Sequence, residues 1–169
     1  ERLASAGRML VGAIRASRDV RTWGPHATEQ MMKLGVGSLP IGILIACFAV
    51  FLLASVSSVA ARILGDNGAL KLPPLAPSWQ VWRYVTYQYL HGEVWHIFGN
   101  MLGVFFFGPA LERMWGSRKF LLFYTTCGVV AGLAFALMQM LMYPAFLIGA
   151  SGSVLGCIGA CAVLFPGMT

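Results

Sequence analysis

A lone serine stands where an uncharged stretch begins. Gly149-Ala150-Ser151-Gly152 opens the apolar run 145–166. A serine hydroxyl becomes a nucleophile when a base takes its proton, and its attack on a carbonyl needs donors for the oxyanion that forms. A serine at a helix start has unpaired backbone N–H groups beside it, and these can serve as such donors. A second polar group of residues, His91, His96 and Asn100, lies at and within another apolar run. His96 and Asn100 are four apart and project from one helical face. Polar side chains at membrane depth face protein or a water-filled cavity. The two stretches are therefore expected to face each other and supply a nucleophile with preorganised donors. They do not supply a base.

Each residue also has a structural alternative. His96 and Asn100 could bind a neighbouring helix by hydrogen bonds. His91, at the loop–span junction, could orient the helix end. Ser151 could be one more small residue beside the stripe Gly152, Gly156 and Ala160, a close-approach face for another helix. A metal reading fails on spacing. A zinc-protease helix needs histidines four apart with Glu directly after the first. Here His91 and His96 are five apart and Glu93 is two after His91. No metal and no cofactor are expected.

The elements that must position these groups are membrane helices. The chain has 169 residues, 58% hydrophobic and 11% charged, against roughly 25% charged in soluble domains. The fold class is all-α, a polytopic transmembrane helix bundle. The net charge of +6 reads as topology signals beside spans, with no nucleic-acid partner. Cys47, Cys127, Cys157 and Cys161 all sit in apolar runs and read as small packing residues.

Residues 1–38 form a basic amino-terminal tail with Arg2, Arg8, Arg15, Arg18, Arg21 and Lys33. Leu3, Leu10, Val11 and Ile14 allow an interfacial amphipathic helix there. An organelle transit peptide is the alternative to a cytoplasmic juxtamembrane tail. Four spans are expected at about 39–61, 93–111, 120–142 and 145–166. Between the first two lies an aromatic interfacial loop, 62–92, with a turn at Asp66-Asn67-Gly68 and helix-blocking Pro73, Pro74 and Pro77. Arg83 among its rings has a structural role. Gly128 and Gly132 in the third span permit close helix contact. Basic residues in the tail and in the link Arg113, Arg118 and Lys119 place the amino terminus in the cytoplasm or matrix, with the start of the Ser151 run near the opposite face.

In these residues the chain resembles the rhomboid family of intramembrane serine proteases. Trp82-Arg83 is similar to the family's first-loop motif. His91, His96 and Asn100 stand as in its second-span pattern, and Glu112, Gly116 and Ser117 resemble its cytoplasmic turn. Gly149-Ala150-Ser151-Gly152 resembles its Gly-x-Ser-Gly motif, and Gly156 its following glycine. The resemblance covers about Trp82 to the end and makes residues 39–169 a partial rhomboid-like membrane domain, four spans of a six-span core. It implies cleavage of transmembrane protein substrates in or near their membrane segment. Ser151 would be the nucleophile, with its own N–H, His96 and Asn100 stabilising the oxyanion and His91 supporting the active-site mouth. Family members use a Ser–His dyad whose histidine lies on the sixth span.

The only histidine outside these motifs is His26, in the tail. The base, and the small-residue helix partner of Gly152 and Gly156, are thus expected beyond Thr169, and residues 1–169 alone should be inactive. Two other readings are a rhomboid-like pseudoprotease that binds membrane clients and a transporter or channel fragment. The expected location is a bacterial plasma membrane, with an organelle inner membrane as the alternative.

Overall fold

The structure, a computed structural model, describes residues 38–72, 80–139 and 145–165. The expectations for the basic tail and for Pro73, Pro74 and Pro77 lie outside those residues. Helix α1, Leu39–Val56, has Pro40 in its first turn, where no backbone donor is needed. It buries only Pro40, Ile43 and Cys47, a narrow stripe. Ile45, Phe48, Leu52 and Leu53 point outward, as lipid-facing side chains do.

The first span ends earlier than its composition suggests. Ser57 is extended, with φ −129°, and its hydroxyl accepts from the Ala60 N–H at 3.2 Å. That cap starts a new helix, α2, Ser58–Gly68. Asp66-Asn67-Gly68 therefore closes α2 instead of forming a free turn. The chain continues through β1, Leu70–Lys71, a four-residue helix α3, Arg83–Thr86, and a single 3-10 turn, Tyr87–Tyr89.

Helix α4, Val94–Trp115, stops at Gly116, whose φ of +79° favours glycine and whose N–H reaches the Glu112 carbonyl at 2.7 Å. Helix α5, Ser117–Gln139, follows directly. Strand β2, Phe146–Leu147, pairs antiparallel with β1, Leu70 opposite Leu147. Helix α6, Ser151–Leu164, has 14 residues. Of the stretch 145–166 expected as a fourth span, the helix takes up Ser151–Leu164. The first residues of that stretch are used by β2 and by the positive-φ turn at Gly149. Among the described residues three helices, α1, α4 and α5, are long and apolar enough to cross a membrane, and α6 is a shorter apolar helix.

Helix α6 packs on both α4 and α5, while α1 packs on α4. Their shared core holds Cys47, Val104, Leu111, Phe120, Tyr124 and Cys157, all fully buried. The four cysteines are free thiols. Close approach is made by glycines. A Cβ on Gly108 would lie 2.9 Å from Pro40 of α1, and one on Gly103 would overlap Val154 of α6.

Gly128 and Gly132 of α5 also mark a close approach, but a different one from that expected. They receive the loop: Gln88 fills the space over Gly128, and Tyr84, Tyr87 and Leu70 crowd Gly132. The aromatic segment thus docks on a groove in α5.

Candidate active site at the head of helix α6

The turn into α6 is built around Gly149. Its φ is +110°, a region that side-chain-bearing residues avoid. Its N–H donates to the Tyr87 carbonyl at 2.9 Å. A Cβ there would collide with the His96 imidazole and lie 3.6 Å from Asn100 Nδ2. Both side chains of the α4 face are therefore packed against the turn that carries Ser151, so the structure brings the two polar stretches together.

Ser151 is the first residue of α6 and is exposed. No side chain caps this helix, so its leading N–H groups keep free donor capacity. The first helical bond is Val154 N–H to Ala150 C=O at 2.9 Å. Asn100 is buried and its Nδ2 has no hydrogen-bond partner. An orphaned amide in a core costs about 1–3 kcal/mol, and such a donor beside a candidate nucleophile suits an incoming oxyanion.

His91 is 7% exposed, and its ring stands edge-on to His96 at a centroid distance of 5.1 Å. Neither ring nitrogen has a partner of normal hydrogen-bond geometry. Burial, then repulsion from His96, lowers its pKa to about 4, against a weaker opposing effect of the Tyr89 backbone. His91 is thus neutral at pH 7 and packs between loop and helix. It also borders a cavity of about 500 Å³ between α1, α2 and β2, lined by Phe51, Leu64, Leu90 and Ile148. Ser151, His96 and Asn100 do not line that cavity.

The faces of α6 differ from the sequence expectation. Gly152 and Gly156 do not await a further helix, because α5 already fills that place. A Cβ on Gly152 would overlap Ala131, and one on Gly156 would overlap Cys127. The open face is the neighbouring one. Ser151, Leu155, Gly159 and Val163 are exposed, and nothing lies within 4 Å of a Cβ on Gly159.

The remaining motif residues are fasteners. Arg83 is buried; its Nη1 donates to the Ala69 carbonyl at 2.6 Å, its Nη2 to the Asp66 carbonyl and its Nε to Gln80. It thereby satisfies carbonyls at the end of α2, where a cation also suits the helix dipole. Trp82 Nε1 donates to the Asn67 carbonyl at 3.1 Å and Thr86 Oγ1 to that of Gly68 at 2.8 Å. Glu112 Oε1 accepts from the Leu39 N–H at 3.0 Å and from Ser117 Oγ at 2.7 Å. One carboxylate thus holds the start of α1 against the α4–α5 turn.

Sequence reasoning missed three residues. Tyr87 Oη donates to the Gly128 carbonyl at 2.7 Å, and Gln88 Oε1 accepts from Ser153 Oγ at 2.8 Å. The available signal was chemical: Gln88 among aromatic rings and Ser153 in an apolar helix each need a partner.

Residues 78–168 match the Rhomboid domain family. The rhomboid protease GluP of Bacillus subtilis is 39% identical over 79 residues, 47% of this chain and 15% of the relative. The rhomboid protease GlpG of Serratia proteamaculans is 29% identical over 136 residues, 78% of this chain and 45% of the relative. Transmembrane protein 115 of Mus musculus is 30% identical over 83 residues, 47% of this chain and 24% of the relative. Each match spans less than half of the relative's length.

Proposed function

The chain belongs to the rhomboid family, and on that premise we propose that the intact protein is an intramembrane serine endopeptidase acting on transmembrane proteins. The observation that carries this reading is the packing of His96 and Asn100 against Gly149, two residues before an exposed Ser151. In this reading Ser151 Oγ bonds to the scissile carbonyl carbon while a base takes its proton. The oxyanion is held by the Ser151 N–H, His96 and Asn100 Nδ2. The protonated base then gives its proton to the departing amine, and water releases the acyl group. His91 supports the mouth of the site by filling the space between loop and α4.

The base is a histidine carried to the uncovered Ser151–Leu155–Gly159 face by chain outside residues 1–169. The open face supports this, since the small-residue face is already occupied by α5. The alternative reading is a rhomboid-like pseudoprotease that binds membrane clients without cutting them. Labelling of the full-length protein with a serine-reactive fluorophosphonate separates the two. Labelling lost in Ser151→Ala supports the peptidase. Labelling that persists in that variant, or is absent from the wild type, refutes it.

A further inference from the structure

The 3-10 turn Tyr87–Tyr89 holds the Ser151 segment from both ends. Upstream, the Tyr87 carbonyl accepts the Gly149 N–H at 2.9 Å. Downstream, Gln88 Oε1 accepts Ser153 Oγ at 2.8 Å. Ser153 is fully buried and Gln88 is 1% exposed, so both groups have left water for this bond. Gln88 is itself fixed. Its Nε2 donates to the Tyr84 carbonyl at 3.1 Å, and its amide occupies the space that Gly128 leaves free on α5. The turn is fixed in the same place by Tyr87 Oη on the Gly128 carbonyl.

We infer that Gln88 is a positioning residue, which sets the rotation and height of the first α6 turn and hence the direction of Ser151 Oγ. Ser151 itself is exposed and α6 has no side-chain cap. The first turn would otherwise fray, as uncapped helix ends do. The Gln88–Ser153 bond acts in place of a cap, two residues into the helix and from another element. Tightly packed Gly152, against Ala131, leaves α6 little freedom to slide along α5, so rotation and fraying are the motions this bond restrains.

The catalytic part of this inference rests on the peptidase reading, and the mechanical part does not. Full-length protein in liposomes is compared with Gln88→Met, Ser153→Ala and the double variant. Backbone hydrogen exchange is followed over residues 154–157, whose N–H groups bond to the first turn of α6, and turnover of a transmembrane substrate is measured beside a Ser151→Ala control. Ser153→Ala is a mild change that keeps the fold should Gln88→Met not fold. Expected in each single variant is at least tenfold faster exchange over 154–157, with exchange within α4 and α5 unchanged. Expected also is a kcat at least tenfold lower with KM within twofold. The double variant is no worse than either single one, because both remove the same bond. Wild-type exchange in Ser153→Ala, or losses that multiply in the double variant, overturn the inference. Faster exchange with no Ser151-dependent turnover in any form supports the clamp and removes the peptidase reading.

Discussion

Gly149→Ala tests the geometry of the site with a single methyl group. Two costs arise at once. The backbone φ of +110° costs a residue with a Cβ about 1–3 kcal/mol. The new methyl also enters the His96 ring, which must retreat by about 1 Å to regain ordinary contact distance. A misplacement of about 1 Å can cost 10²-fold in rate, and loss of one oxyanion donor costs about 10²–10³-fold. The two figures describe the same displaced imidazole and do not multiply. In full-length protein reconstituted with a transmembrane substrate, kcat should fall about 10²–10³-fold, with KM little changed. Thermal unfolding should show the strain. Adding His96→Ala to Gly149→Ala should recover stability by removing the clash, without recovering rate. A Gly149→Ala enzyme within tenfold of wild-type kcat would refute the placement of His96 at the oxyanion.

Three further outcomes follow from the contacts. Glu112→Leu leaves the Leu39 N–H and Ser117 Oγ without their shared acceptor, so stability should drop by about 1–3 kcal/mol per orphaned group; denaturant titration in detergent reads this, and an unchanged midpoint sinks the fastening role. Gly152→Ala overpacks the α5–α6 contact and should cost about 1–3 kcal/mol. Ala131→Gly should recover part of that loss, and no recovery means the clash lies elsewhere. His91 gives a pH dependence of known sign. Below about 6.5 the unfolded imidazole takes up a proton, whereas the folded one does so only near 4. Acid therefore favours unfolding across that window, and stability should rise with pH from about 4 to 6.5 and flatten above. His91→Gln should remove this slope in melting curves recorded across that range.

The residues that meet at the site were legible because their chemistry is anomalous where they stand. A serine between glycines, and His96 four residues before Asn100, are polar groups in apolar runs, and such groups need partners. Helix type was equally legible from the long uncharged runs. The boundaries were less so, because they depend on single local bonds. Ser57 ends one helix and caps the next with one hydroxyl. The uncharged run through it reads as one span, since a capping serine adds no charge. Likewise, residues 145–150 are as apolar as the helix after them, yet β2 and the Gly149 turn occupy them.

What was not legible is which neighbour each face meets. Gly128 and Gly132 permit close approach, but whether by a helix or by a loop is decided by where Gln88 and Tyr87 dock. The same ambiguity governs α6, and here helix phase resolves it. Successive residues turn by about 100°. Ser153, Cys157 and Cys161 are buried, while Gly152 and Gly156 touch Ala131 and Cys127 of α5. With the core and α5 taking those two faces, Ser151, Leu155 and Gly159 must lie on the side turned away from both. The exposure of the serine is thus a consequence of the glycine that follows it. Any side chain that completes the chemistry at Ser151 must reach it from that open side, across Leu155 and Gly159, where the absence of a Cβ at Gly159 leaves room for a close-packed helix.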